Sequence, residues 1–137
     1  MTDLEHARRI LEQDGYTCVL CKGENILCDT RRGVKPLLEL LDCGEDLREF
    51  SAADKVVGKA AAHLYHLMGV RAVHAGIISA PAKEVLESRG ISVTFGQCVP
   101  HIQNRTQTGL CPMESAVWSI SDSRDALQAI RTTLESL

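Results

Sequence analysis

Aromatic residues are scarce, at 4% of a 137-residue chain, too few for the stacked platforms on which single-stranded nucleic acid is held. An excess of positive charge is missing too. The net charge is -3, so no basic footprint draws the chain to a polyanion. No apolar run approaches the roughly 20 residues of a membrane span, and the acidic start Met1-Thr2-Asp3-Leu4-Glu5-His6 lacks the basic opening of a signal peptide. These absences predict a cytoplasmic protein whose partner is neither nucleic acid nor membrane. What remains is an ordinary balance of 45% hydrophobic and 24% charged residues, enough to bury one core and predicting a single domain over 1–137.

The stretch 51–69 reads as one central helix. Ser51 followed by Asp54 resembles a capping box, Gly69 is a C-terminal stop, and Val56, Val57, Ala60, Ala61, Leu64, Leu67 and Met68 recur at helical spacing. Gly58 and the alanines around it leave room for a sheet to approach closely. Lys55, Lys59, His63 and His66 form a second stripe, read either as an anion site or as a solvated face in which Asp54 offsets Lys55.

Before this helix, Thr2 or Asp3 caps an amphipathic helix through about Gln13. Segments 16–21 and 25–30 then flank Lys22-Gly23-Glu24 as a β-hairpin. Residues 33–41 form a helix with Pro36 in its first turn, closed by Cys43-Gly44. Its basic start, Arg31, Arg32 and Lys35, either receives an anion or is answered by Asp29 and Glu39. After the central helix, 71–79 reads as a strand buried on both faces, with His74 inside it as a core residue. A helix over 81–88 and a strand over 91–95 complete a parallel crossover. An irregular stretch, 96–109, leads to a helix opening at Cys111-Pro112 and a last one capped by Ser121 or Ser123.

The six cysteines fall into three groups. Cys18 and Cys21 have C-x-x-C spacing, but residues three apart on a strand point to opposite faces and no second C-x-x-C is present. Cys28 and Cys43 read as small apolar residues. Cys98, His101 and Cys111 are a three-ligand zinc candidate without a fourth ligand. Cys111, at a helix start with Glu114 in the first turn, is the candidate nucleophile, with Glu114 as its acid/base partner; the alternative is an inert cysteine beneath Met113.

Four ordered blocks carry a family likeness: Arg-Gly-Val-Lys-Pro-Leu-Leu-Glu-Leu-Leu at 32–41, Ala-Asp-Lys-Val-Val-Gly-Lys-Ala-Ala-Ala at 53–62, Val-Pro-His-Ile-Gln-Asn-Arg at 99–105 and Gly-Leu-Cys-Pro-Met-Glu at 109–114. The chain resembles a small prokaryotic family of unknown function that is similar in fold to the cytidine deaminases. That resemblance implies an α/β fold, a three-layer α/β/α sandwich whose mixed sheet begins with an antiparallel hairpin. The H-x-E and P-C-x-x-C patterns of zinc deaminases are missing, so the expectation is a zinc-independent domain without a cofactor. In such sheets ligands gather at the carboxyl ends of the parallel strands. Asp54, Lys55, Lys59, Ser79, Asn104 and Arg105 are the candidate ligand-binding residues for a small anionic molecule, and a homodimer is the expected assembly. The alternatives are an enzyme acting through the Cys111 thiolate and a partner-binding scaffold.

Overall fold

A computed structural model describes residues 1–104 and 106–137. The elements follow in the order α1 (Asp3–Asp14), β1 (Cys18–Lys22), β2 (Asn25–Asp29), α2 (Lys35–Asp42), β3 (Ser51–Val57), α3 (Lys59–Met68), β4 (Ala72–Ser79), α4 (Ala80–Ser88), β5 (Ser92–Val99), α5 (Pro112–Val117) and α6 (Ser123–Glu135). The strands form one sheet in the order β2-β1-β3-β4-β5. β1 runs antiparallel to both β2 and β3, whereas β3, β4 and β5 are parallel. This is an α/β sandwich with a mixed sheet that opens on a hairpin. No helix among the described residues is long and apolar enough to cross a membrane.

The expected central helix is in fact a strand and a helix. Residues 51–57 are β3, flanked by β1 on one side and β4 on the other, and only Lys59–Met68 is helical. Ser51 and Asp54 therefore cap nothing. The physical reason is that tertiary pairing overrides local preference: Ala and Asp do not favour strands, but the ladders with β1 and β4 on either side decide the conformation. Gly58 marks the join: it is extended, at φ -90° and ψ 177°, and caps α3 without a side chain. The other boundary agrees with the expectation, since Gly69 ends α3 at φ 78° with its N–H on the carbonyls of His66 and Tyr65.

The layers are unequal. A large cluster between the sheet and α2 to α6 includes Leu20, Ala52, Tyr65, Val73, Ile78 and Ile130. A small one under α1 consists of Ala7, Leu11, Val19, Cys21 and Ala53. Cys18 lies in the first and Cys21 in the second, so the C-x-x-C residues do face apart. Cys28 and Cys43 depart from the apolar reading: both are exposed, Cys28 on the outermost strand and Cys43 at the end of α2. The smallness of α1 leaves much of the β4–β5 half of that face without a helix.

A kink runs across the parallel strands. A Cβ on Gly76 would lie 2.8 Å from the Lys55 carbonyl oxygen, and one on Gly96 would lie 2.9 Å from the Gly76 carbonyl oxygen. Ala52 and Val57 both belong to the large cluster although they are five apart, so the alternation of faces slips by one residue at the kink. Lys55 and Val56 are turned out to solvent there. β5 also outruns its expected end at 95, continuing to Val99. The extension Gly96-Gln97-Cys98-Val99 opens with glycine and carries no alternating apolar pattern. The irregular stretch accordingly shortens to the segment between β5 and α5, pinned by a bridge between Gln103 and Leu110.

Candidate functional site at the carboxyl edge of the sheet

The parallel strands β3 and β4 end where α3 and α4 begin, which gathers unpaired helix N–H groups at one edge. Glu114, on the first turn of α5, reaches into that junction and is 1% exposed. Its Oε1 accepts the Lys59 backbone N–H at 2.6 Å and the Ser79 hydroxyl at 3.4 Å, and its Oε2 accepts the Ile102 N–H at 2.7 Å. Ser79 in turn accepts the Ala82 N–H as the cap of α4. One carboxylate thereby ties the starts of two helices to the segment after β5. Gly58 suits the close approach: a Cβ there would stand 3.2 Å from Ile102 Cγ1 and 3.4 Å from Glu114 Oε1, so the Ile102 side chain would have to give by a few tenths of an ångström.

Cys111 is beside this cradle. It caps α5, is half-buried, and its N–H donates to the Ile102 carbonyl at 2.9 Å. Both oxygens of Glu114 are already engaged, so the thiol gains no free carboxylate from its own helix. The Lys59 side chain turns away and donates from Nζ to the Trp118 carbonyl at 2.8 Å. Lys59, Ser79, Cys111 and Glu114 are thus brought together. Cys98, His101 and Cys111 do not group as metal ligands, and among the described residues no set of three or more His, Cys, Asp or Glu does.

Other candidates lie elsewhere. Asn104 organises its own turn, accepting the Thr108 N–H at 3.0 Å and donating to the Thr108 hydroxyl at 3.2 Å. Lys55 is exposed on β3, and Arg105 lies outside the described residues. The supposed convergence of Asp54 with Ser79 and Cys111 is corrected by its place in mid-strand, paired with Cys18 and Ala75. There Asp54 Oδ2 accepts the Tyr65 hydroxyl at 2.7 Å, and that hydroxyl lies 3.1 Å from Cys18 Sγ. Burial pushes the Asp54 carboxyl up to about 6, against the Tyr65 hydrogen bond that lowers it, and pushes the Cys18 thiol well above its ordinary range. Cys18 lines the floor of a cleft of about 280 Å³ between the hairpin and α2.

The cationic stripe is not a unit either. Lys55 belongs to β3, while His63 and His66 both place Nδ1 2.8 Å from the Ser123 hydroxyl and latch α3 to α6. Burial lowers the His63 pKa to about 4. His74 is a satisfied core residue, 2.7 Å from the Thr94 hydroxyl. At the start of α2, Arg31 is answered by Asp29 at 2.8 Å and Glu39 at 2.7 Å. Sequence reasoning saw in Gly58 room for a close approach but not the join of β3 and α3, and it missed Ile102 and Tyr65. For Gly58 a signal existed, because two β-branched valines followed by glycine mark a strand end; Ile102 contributes only its backbone, which no side chain announces.

The profile of a domain of unknown function, DUF1893, matches residues 6–134. The crystal structure of a DUF1893 family protein from Thermotoga maritima is similar to this chain with a TM-score of 0.88 and 26% sequence identity, over 96% of this chain and 90% of that one. No curated protein matches the chain. A match that runs from within α1 to the last turn of α6 takes in every element of the fold: the chain belongs to the DUF1893 family.

Proposed function

We propose that the domain binds a small anionic molecule, phosphate- or nucleotide-like, at the carboxyl edge of its parallel strands. The observation that carries this reading is the cradle at the starts of α3 and α4, where two backbone N–H groups and the Ser79 hydroxyl already hold a carboxylate. Glu114 uses these donors itself, so an anion beside it draws on the positive dipole ends of α3 and α4 and on nearby cations, which also offset the Glu114 charge. Lys55, Lys59 and Arg105 are the cations that draw the anion, Lys59 by leaving the Trp118 carbonyl that holds its Nζ, and Asn104 shapes the loop beside the edge. The resemblance to cytidine deaminases expected from the sequence blocks would favour this location but not their chemistry: α3 follows Gly58 with Lys59-Ala60-Ala61 and α4 opens with Ala80-Pro81-Ala82, neither of which offers a zinc ligand.

A thermal-shift series with inorganic phosphate, nucleotides, sugar phosphates and acyl phosphates tests the reading. An anion at about 100 times its dissociation constant adds roughly 2.7 kcal/mol of stability. Lys55→Ala and Lys59→Ala are expected to reduce that shift. Flat melting temperatures across the series, or shifts that both variants retain, remove the proposal. The Cys111 enzyme is separated from a pure binder by alkylation: a catalytic thiolate reacts with iodoacetamide well below the ordinary thiol pKa of about 8.5 and ahead of the exposed cysteines.

A further inference from the structure

The two edges of the sheet are built differently. β2, at one edge, is five residues long and ends at Asp29, whose carboxylate is held by Arg31. Shortness and charge are the usual protection of an edge against pairing with another chain. β5, at the other edge, is eight residues long, Ser92–Val99, with no proline and no charged residue. Only Val93 and Val99 are even half-buried, and the other six residues are exposed. Among the described residues β5 pairs with β4 alone, so its outward row of N–H and C=O groups is left to water. Phe95 is 39% exposed and Val56, across the uncovered half of the sheet, 45%.

From this asymmetry we infer that β5 is a self-association edge: a second copy of this chain pairs its own β5 antiparallel to the first across a twofold axis, joining the two sheets into one. An uncharged strand is complementary to itself because antiparallel pairing opposes no like charges and satisfies both outward rows of backbone groups. A closed twofold pair also ends the assembly at two copies, whereas an unprotected edge met head to tail does not close. α4 packs beside β5, with Lys83 Nζ 5.8 Å from the centre of the Phe95 ring. Within α4, Lys83 is also held by Glu87 at 3.3 Å, so its charge is answered inside its own helix. The inference is independent of the proposed ligand site, which uses the ends of the strands rather than their edge.

Sedimentation of the full chain tests it. Wild type is expected at twice its 15.0 kDa mass, Gln97→Lys at the single mass because two cations are then brought onto one short ladder, and Ile26→Lys on the opposite edge at the double mass. A wild type that sediments at the single mass at every concentration overturns the inference, as does a Gln97→Lys variant that keeps the double mass. Should Gln97→Lys fail to fold, hydrogen exchange of wild type decides: β5 amides slow as concentration rises while β2 amides do not, and β5 amides indifferent to concentration overturn it equally.

Discussion

Among the described residues two carboxylates are buried, Glu114 and Asp54, and their surroundings oppose each other. Glu114 sits where helix starts supply donors, and it draws hydrogen bonds from two backbone N–H groups and a hydroxyl. Asp54 sits inside the sheet, 9% exposed, with the Tyr65 hydroxyl as its one side-chain donor and the Val56 N–H at 3.2 Å. The difference teaches that burial alone does not fix what a carboxylate does. Glu114 organises three segments that are remote in sequence, whereas Asp54 carries a pKa raised to about 6 by desolvation and makes stability depend on pH.

Breaking the Glu114 side of this contrast should have the largest effect. Glu114→Ala leaves the Lys59 and Ile102 N–H groups and the Ser79 hydroxyl without their acceptor, and the expected loss is about 3 to 5 kcal/mol in urea unfolding. Glu114→Gln keeps the shape and part of the acceptance, so it should fall between. If the alanine variant loses less than about 1 kcal/mol, the cradle is not a stability element.

The Asp54 side is read from pH. Its folded pKa lies above the ordinary 3.8, so its favourable contribution is complete below about pH 4 and is lost as pH rises through 6, up to about 3 kcal/mol. His63 works in the opposite sense. Its folded pKa, about 4, lies below the ordinary 6.5, so stability falls as pH drops from 6.5 toward 4, by about 2 kcal/mol after discounting for solvation. The two slopes occupy one window and oppose each other, and burial also lowers the pKa of His66 and His74 in the same sense as His63, so wild type should lose stability toward acid less steeply than a chain without Asp54. Asp54→Asn removes one slope and should leave stability falling steadily on acidification. An Asp54→Asn profile that overlays wild type would show that Asp54 does not titrate in that range.

Tyr65→Phe is the finest test. It removes the hydroxyl from Asp54 and Cys18 and should cost about 1 to 2 kcal/mol. The cost should be greater near pH 7.5, where Asp54 is ionised and needs the donor, than near pH 5. Equal losses at the two pH values would mean that the hydroxyl serves packing rather than the carboxylate.

Much of this architecture was legible in the chain itself. The hairpin around Gly23, the Pro36 helix, the stop at Gly69 and the crossover from β4 to β5 follow from turn glycines, helix-start prolines and apolar runs, because those signals act over a few residues. The presence of Cys111 and Glu114 at a helix start was legible for the same reason. The split of residues 51–69 into β3 and α3 was not, because a serine followed by an acidic residue serves a cap and a strand equally well, and only pairing with β1 and β4 selects between them. The partners of Glu114 lay further out of reach. Lys59 is 55 residues away and Ser79 is 35, and what they offer is one backbone N–H and one hydroxyl, groups present almost everywhere in a chain. Their convergence on a single carboxylate was decided by the tertiary structure, through the parallel register that ends β3 and β4 side by side and the turn of α5 that carries Glu114 back between them.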